Sequence, residues 1–279
     1  MWVGQQLADG LDFWGFLGSL ILGGIILGIY TGLLGYVGAK TGLSLDLLSQ
    51  RAFGEKGSYL PSAMTSFTQI GWFGVGSFVS GGTATPNFAR FAKNGKAGAI
   101  TTVVAFFIGN SLMFFFGAVS SIFVGGNDIF EVMVRLNLFY LAVLVLGLNI
   151  WTTNDNALYT AGLGLANIFH QRKKPMVLLS GIIGTVASVW LYYNFCGWLN
   201  ILNCTLPPVG MILVLAYFMN KEDFETDQPK LKTVDWFAVA GVILGAIVAT
   251  LLHWGIASIN GMVVAAVCYC VGQAVNKRK

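Results

Sequence analysis

Charged residues are scarce in this chain. Of its 279 residues, 10% are Asp, Glu, Lys or Arg and 56% are hydrophobic, whereas a soluble domain carries about 25% charged residues. This composition excludes an ordinary soluble globular domain. The net charge of +4 comes from short basic clusters between apolar segments, where such residues set membrane topology rather than bind nucleic acid. The sequence therefore predicts an all-α, polytopic helical membrane protein with the lipid bilayer, and no nucleic acid, as a partner.

Residues suited to catalysis are equally few. The only histidines are His170, in a basic loop, and His253, at a helix end, where we expect an interfacial residue. No Ser–His arrangement, paired carboxylates or metal-ligand cluster accompanies them. The four cysteines lie in or beside apolar segments and are predicted to be buried free thiols: Cys196, Cys204, Cys268 and Cys270. The sequence thus predicts neither an enzyme nor a resident cofactor.

Long uncharged stretches place the membrane segments. Gly24, Gly28 and Gly32 recur in GxxxG register within the first stretch, a pattern typical of close helix packing. Single helices are predicted at 13–39, 57–89, 98–124 and 136 to about 167. Pairs of helices are predicted at 175–220, turning near Cys196 to Asn203, and at 236–276, turning near His253 to Asn260.

The basic clusters give an orientation with one contradiction. Clusters at 40–56, 90–96, 172–174, 221–232 and 277–279 are predicted to be cytoplasmic, which puts the C-terminus inside. The clusters at 40–56 and 90–96 enclose a single membrane segment, and one crossing cannot have both ends on the same side. Either residues 60–83 re-enter without crossing, or an odd number of spans is absent there.

The same segment changes character along its length. Residues 69–86, QIGWFGVGSFVSGGTATP, begin as an apolar helix and continue as a run rich in Gly, Ser and Thr. Non-helical backbone at membrane depth is tolerated where it lines a cavity or is buried in protein. Discontinuous helices of this kind form midplane substrate sites in secondary transporters.

Polar and aromatic residues in this segment suit a flat heterocycle. Gln69 offers a donor and an acceptor, and Trp72 lies one helical turn further on. Phe78 adds a second aromatic ring, with Ser77 and Ser80 beside it. Rings can stack on the faces of a neutral polar heterocycle while the amide and hydroxyls bind its edge. The alternative is that both aromatic residues are ordinary core or lipid-facing side chains.

A polar stripe marks the segment LGLNIWTTND, residues 146–155. Asn149, Thr152, Thr153 and Asn156 follow the spacing i, i+3, i+4, i+7, which is one face of a helix. Asn149 offers a second amide, and the threonine hydroxyls can ligate a monovalent cation together with backbone carbonyls. Hydrogen bonding between neighbouring helices is the alternative. Asp155 lies off this stripe, and no acid–base chain typical of a proton pump runs through the spans.

Four motifs together resemble the nucleobase:cation symporter family, and in particular its bacterial cytosine permeases. They are TQIGWFGVG at 68–76, SFVSGGTATPNFARF at 77–91, AFFIGNSLMFFFGA at 105–118 and LGLNIWTTNDNALYTAGLG at 146–164. The resemblance covers almost the whole chain. It implies the inverted-repeat fold also seen in sodium-coupled amino-acid transporters.

The resemblance also implies roles for individual residues. Trp72 and Phe78 would sandwich the base, and Gln69 and Asn149 would bind its edge. Ser77 and Ser80 would lie beside the base. Thr152, Thr153 and the Asn149 carbonyl would face a coupling sodium ion.

The chain departs from that family in length. The family has twelve helices, whereas this chain resembles its third helix up to Gly76 and its sixth from Ser77 onward. Roughly ninety residues of an inverted repeat are absent at this apparent join, and the first helix is expected to be truncated. We therefore expect one incomplete transporter domain over 1–279.

The function implied is import of cytosine by sodium-coupled symport through alternating access. The protein is expected to be monomeric and to lie in the cell's inner (plasma) membrane. Two alternatives stay open. One is symport of another small heterocycle, such as uracil, a hydantoin or allantoin. The other is a non-transporting membrane fragment of such a symporter.

Overall fold

The structure is a computed structural model that describes residues 12–75, 81–125, 129–226, 229, 231–252 and 254–276. Within these ranges it contains thirteen α-helices and no strand. In chain order the helices are α1 Phe13–Thr41, α2 Leu45–Phe53, α3 Tyr59–Val75, α4 Gly81–Ala84, α5 Pro86–Ala89, α6 Gly95–Val124, α7 Ile129–Arg135, α8 Phe139–Phe169, α9 Lys173–Tyr193, α10 Phe195–Met219, α11 Lys221–Glu225, α12 Trp236–Leu251 and α13 Ala257–Asn276. The all-α prediction is confirmed.

Five helical stretches are long and apolar enough to cross a membrane. They are Phe13–Thr41, Gly95–Val124, Lys173–Leu191, Gly197–Met219 and Ala257–Asn276, and Trp236–Leu251 is a shorter apolar helix. Three predicted segments, now α3, α8 and α12, fall outside this set of five. In α8 the polar residues from Asn149 to Asn156 interrupt the apolar run. A multi-pass membrane protein nevertheless follows from this set of helices.

Small residues bring the first helix pair together. α1 packs along α6, and Gly24, Gly32 and Gly35 are buried at this contact. A Cβ on Gly32 would lie 2.6 Å from Val103, and one on Gly35 would lie 2.5 Å from the Thr102 hydroxyl. The predicted packing role of the glycines in this helix is therefore confirmed, since side chains would hold the two backbones apart.

α3 and α8 form a second, antiparallel pair. The Ser66 hydroxyl donates to the Ala161 carbonyl at 3.2 Å. The Asn167 side-chain amide donates to the hydroxyls of Ser58 at 3.1 Å and Ser62 at 2.9 Å. Residue numbers rise along α3 as they fall along α8, so the middle of α8 lies beside the second half of α3. α9 packs against both helices.

A third group of helices closes the core. α10 packs against α12 and α13 and also contacts α1, α2 and α3. Its Ile212, Leu213 and Tyr217 are buried with Leu34 of α1 and Phe53 of α2. α10 therefore connects the elements that precede residue 76 with those at the end of the chain.

Short elements stabilise the end of the fold that we predict to be cytoplasmic. The backbone N–H of Leu45, at the start of α2, donates to the Asn87 side chain at 2.8 Å. The N–H of Glu55 donates to the carbonyl of Lys232 at 2.8 Å, and the N–H of Asp235 donates to that of Phe53 at 2.6 Å. The segment before α12 is thereby bonded to the turn after α2.

Two details of the sequence prediction are wrong. The turn in 175–220 falls at Asn194, between α9 and α10, rather than near Cys196 to Asn203. The Asn194 side-chain amide donates to the Trp190 carbonyl at 2.9 Å and so supplies a hydrogen bond to a carbonyl in the last turn of α9. Cys204, Cys268 and Cys270 are free thiols as predicted, but only Cys204 of these three is buried, whereas Cys268 is half-buried and Cys270 is exposed. The predicted turn at His253 falls partly outside the described residues.

Candidate functional site

The predicted polar stripe lies on one continuous helix. Asn149, Thr152, Thr153 and Asn156 all belong to α8, as their spacing predicts. Asn149, Thr152 and Asn156 are exposed, and Thr153 is half-buried. In the described part of the chain, none of these side chains bonds to another helix. Helix–helix hydrogen bonding, the alternative explanation of the stripe, therefore has no support among the described residues.

Two oxygen atoms of this stripe lie close together. The Thr152 hydroxyl donates to the carbonyl oxygens of Leu148 and Asn149, each at 3.1 Å. A hydroxyl that donates its proton keeps its oxygen lone pairs available as acceptors. The Thr152 oxygen therefore keeps acceptor capacity on the open face of α8, next to the Asn149 carbonyl to which it donates. Asp155 is exposed, as expected for a residue off the stripe.

The neighbouring face of α8, further along the helix, is built for close packing. Ala157, Ala161 and Gly164 are buried against α3. A Cβ on Gly164 would lie 2.1 Å from the Ser66 hydroxyl and 2.8 Å from the Ser62 carbonyl oxygen. This contact fixes the rotation of α8: Thr153, one turn before Ala157, is half-buried, while Asn149, Thr152 and Asn156 are exposed.

Gln69 and Trp72 lie on the second half of α3, beside the middle of α8. Gln69 is 6% exposed, so the helix holds its amide inside the protein as a midplane site requires. Both residues belong to one uninterrupted helix, Tyr59–Val75. Ser77, Phe78 and Ser80, and with them the apparent join at Gly76 and Ser77, lie outside the described residues. Their predicted roles stay predictions.

Residues 83–87, within the interrupted segment, are buried in protein. Two single-turn helices, α4 and α5, replace a regular span there. The hydroxyls of Tyr30 and Thr83 are 2.8 Å apart and hydrogen-bonded, which connects α1 to α4. Asn87 is fully buried and accepts the hydrogen bond from Leu45. Interrupted helical backbone surrounded by protein agrees with the prediction for this segment.

Trp198 is a site neighbour that sequence reasoning missed. It is buried where α3, α8 and α10 meet, in a cluster with Ala157 and Met64. A Cβ on Gly71 would lie 2.2 Å from its ring, so Gly71 makes room for Trp198 two residues after Gln69. Its sequence context, an aromatic residue in an apolar helix, gave no signal that separates it from a lipid-facing tryptophan.

Other polar residues and cavities lie away from this region. The His170 Nε2 atom is 2.8 Å from the Tyr59 hydroxyl at the end of α8, and His253 lies outside the described residues. An apolar groove of about 350 Å³ runs between α1 and α6, lined partly by Leu33, Val103 and Phe218. The described residues contain no cluster of three or more potential metal-ligating side chains.

The described bundle of long apolar helices, with a polar stripe on α8, is that of a helical membrane protein. Comparisons with known proteins identify the class. A family profile described as permeases for cytosine and purines, uracil, thiamine and allantoin matches residues 1–84 and 74–274. The chain belongs to this permease family. It is therefore a transporter-family protein rather than an enzyme.

Individual relatives agree with this assignment. Cytosine permease of Escherichia coli (strain K12) is 35% identical over 372 residues, covering 100% of this chain and 88% of the permease. Allantoin permease of Bacillus subtilis (strain 168) is 34% identical over 82 residues, 29% of this chain and 16% of that protein. The solved structure of Mhp1, a nucleobase-cation-symport-1 family transporter in a closed conformation with bromovinylhydantoin bound, covers 97% of this chain and 87% of Mhp1. It has a TM-score of 0.76 at 15% identity. This similarity shows the fold.

The alignments also show that the chain is shorter than its relatives. The alignment with the Escherichia coli permease runs over 372 positions whereas this chain has 279 residues, so 93 positions have no residue here. The family profile matches in two parts that overlap at 74–84. This overlap encloses the predicted join, whose geometry lies outside the described residues.

Proposed function

We propose that this chain carries the substrate and ion sites of a sodium-coupled cytosine symporter of the inner membrane, with its C-terminus in the cytoplasm. The observation that carries the proposal is the open polar face of α8, with Asn149 and Thr152 exposed beside the half of α3 that holds Gln69. A membrane helix keeps such a face when a ligand or another segment supplies its partners.

The base site combines two amides with aromatic surfaces. Gln69, buried on α3, and Asn149, on the open face of α8, supply donors and acceptors for the edge of a small heterocycle. Trp72 supplies a stacking surface, and Phe78 with Ser77 and Ser80 completes the proposed site. Cytosine is the substrate we favour, because the Escherichia coli relative that aligns along the whole chain is a cytosine permease.

The ion site uses the neighbouring oxygens of α8. Thr152, Thr153 and the Asn149 carbonyl would ligate sodium, a hard cation that prefers oxygen. Asn149 would then contact the base through its side chain and the ion through its backbone. Such sharing couples the two ligands, and each must raise the other's affinity by the same factor.

A second candidate function rests on the 93 unmatched alignment positions and the exposure of the stripe. The chain as it stands would then be a membrane fragment that does not transport. Both candidates agree on the base and ion residues. They differ in whether this chain, without the unmatched positions, completes a transport cycle.

The decisive experiment compares this chain with a chimera. The chimera carries the 93 corresponding positions of the Escherichia coli permease between Gly76 and Ser77. Both proteins are purified in detergent for cytosine titrations in sodium or choline chloride, and reconstituted for uptake assays. We expect sodium-dependent binding and uptake by the chimera and no uptake by the original chain. Sodium-dependent uptake by the original chain would refute the fragment function.

Variants of the chimera test the residues. Gln69→Ala and Asn149→Ala should each weaken cytosine binding by about 1–3 kcal/mol, because a polar edge of the base loses its partner. Thr153→Val keeps the side-chain shape and should lower affinity in sodium alone. Unchanged cytosine binding in both amide variants would refute the base site. Equal wild-type affinity in sodium and choline would refute sodium coupling, and tighter binding of uracil, a hydantoin or allantoin would refute cytosine as the substrate.

A further inference from the structure

Two cationic side chains meet on one tyrosine where α5, α8 and α9 converge. The Arg90 Nη2 atom donates to the hydroxyl of Tyr159, a residue of α8. The Lys173 Nζ atom, at the first residue of α9, lies 3.5 Å from the centroid of the Tyr159 ring. Phe88 packs behind the tyrosine, with ring centroids 6.1 Å apart. We refer to Arg90, Tyr159 and Lys173 as the Arg90 cluster.

The positive charges of this cluster form no ion pair in the described part of the chain. Neither Arg90 nor Lys173 has a carboxylate within 4 Å, and the described ion pairs all lie elsewhere. Asp46 acts on Arg90 only through longer-range attraction, since its carboxylate accepts from Ser62. Asp155, one turn before Tyr159, is exposed and forms no ion pair among these residues.

Arg90 is also short of hydrogen-bond acceptors. Its Nε atom is buried and has no partner. The guanidinium lies over the Phe91 ring, with its central carbon 4.7 Å from the centroid, and a ring face does not replace an oxygen acceptor for each N–H. A buried donor without a partner carries an energetic cost. An anion beside the guanidinium would remove part of this cost.

The start of α9 adds a further electrostatic cost. Arg172 is the N-cap residue and makes no side-chain capping bond, and no acidic residue lies in the first turn. That turn instead holds Lys173 and Lys174. Lysine side chains near the positive end of a helix dipole are unfavourable, whereas an anion there is favourable. Two independent features, the short supply of acceptors at Arg90 and the basic start of α9, therefore converge on one place.

We propose that the Arg90 cluster binds a phosphate-bearing anion at the cytoplasmic headgroup level of the membrane. The oxygens of the anion would accept hydrogen bonds from the Arg90 guanidinium and the Lys173 ammonium, which are charge-assisted and strong. The anion would connect the end of the interrupted helix to α8 and α9. An anionic phospholipid headgroup and free phosphate share this chemistry. The inference does not depend on the substrate or on sodium coupling.

The test uses the full chain in nanodiscs of phosphatidylcholine, with either phosphatidylglycerol in the bilayer or inorganic phosphate in the buffer. Tryptophan fluorescence on heating gives the unfolding midpoint, and native mass spectrometry gives the affinity for each anion. We expect phosphatidylglycerol to raise the midpoint. Arg90→Gln and Lys173→Gln should each weaken its binding about tenfold or more, because each removes a charge-assisted hydrogen bond.

Matched variants distinguish specific anion binding at the Arg90 cluster from general electrostatic attraction to basic residues. Lys96→Gln removes the same charge from an exposed position in the first turn of α6, and should change the affinity less than about twofold. Tyr159→Phe keeps both cations and should bind phosphatidylglycerol nearly as well as the original. If Arg90→Gln does not fold, Lys173→Gln alone carries the test.

The responses to the two anions show whether the ligand is a lipid headgroup or a soluble anion, and whether the Arg90 cluster binds it. Stabilisation by phosphatidylglycerol alone supports a lipid headgroup, and equal stabilisation by inorganic phosphate supports a soluble anion. The same loss in Lys96→Gln as in Lys173→Gln would overturn the site, because the response would then reflect net charge. Absence of stabilisation by both anions would overturn it as well.

Discussion

Asp46 should make the stability of this protein fall as the pH rises from about 4 to 7. Its carboxyl group lies on α2, outside the membrane-spanning helices, and is buried. Burial raises its pKa from 3.8 to about 6, opposed by the Ser62 hydroxyl, a backbone hydrogen bond and the charge of Arg90. The Ser62 hydroxyl donates to Oδ1 at 2.6 Å. These favourable contacts do not fully offset the lost hydration of the carboxylate.

The size and sign of the effect follow from this pKa. A carboxyl whose pKa is higher in the folded state favours the protonated fold. Ionisation of the buried carboxyl lowers the free energy of unfolding. This loss is absent below the unfolded pKa near 4, grows as the pH rises to the folded pKa near 6, and is complete above it. A difference of about two pKa units corresponds to about 3 kcal/mol in the free energy of unfolding. For a chain of this size, that is a shift of about 6–12 °C in the unfolding midpoint.

The measurement is the difference between the original protein and Asp46→Asn. Asparagine can still accept from Ser62 but does not ionise, so its stability should lack this step. Midpoints from tryptophan fluorescence at pH 4.5 to 8 should therefore favour the variant increasingly as the pH rises. Asp223→Asn, at an exposed position, is the matched control and should follow the original curve. Parallel curves for the original and Asp46→Asn would show that the buried carboxyl is not the source.

Three further predictions, two of them with a control variant, concern helix packing and hydrogen bonds. Gly164→Ala should lower the free energy of unfolding by about 1–3 kcal/mol, because its Cβ would meet Ser66. Gly147→Ala, on the same helix with no heavy atom within 4 Å, should not lower it. Asp235→Ala should lower the free energy of unfolding, measured by thermal unfolding, by about 1–3 kcal/mol. The reason is that the buried carboxylate caps α12 by accepting from the Ala238 N–H. Lys232→Ala, its half-exposed partner, should cost about 1 kcal/mol or less. Tyr30→Phe removes the hydrogen bond to Thr83 of α4. It should lower the thermal unfolding midpoint by the equivalent of about 1 kcal/mol in the free energy of unfolding. Equal midpoints for the variant and the original would show that this hydrogen bond does not stabilise the fold.

Much of the helical architecture was predictable because single-sequence signals for membrane helices are strong. The predicted stretch 13–39 became α1, Phe13–Thr41, since Asp12 caps its start and Gly42 ends it. The glycine pattern predicted a packed face, which the contact with α6 confirms. The Gly/Ser/Thr run predicted irregular backbone, and its described part beyond residue 80 consists of the two single-turn helices α4 and α5.

Other features depend on long-range contacts that a sequence pattern does not encode. The turn in 175–220 is predicted near Cys196 to Asn203, a stretch that includes the polar residues Asn200 and Asn203. In the structure both lie on α10, and the Asn203 carbonyl accepts from the Ser258 hydroxyl at 3.0 Å. Asn194 ends α9 instead. Trp198 and the Asp46–Ser62 bond were missed for the same reason, since each depends on helices that meet only in three dimensions.

The two faces of α8 explain why the candidate site remains open. Ala157, Ala161 and Gly164 meet α3 closely, because small side chains let the backbones approach. Asn149 and Thr152 lie on the exposed face, where hydrocarbon cannot satisfy their polar groups. A membrane helix with one packed face and one exposed polar face requires a partner that supplies hydrogen-bonding groups to the polar face. Under the proposed function, the base and the sodium ion are that partner. The open face of α8 is therefore the place where added sequence, substrate or ion should alter this protein most.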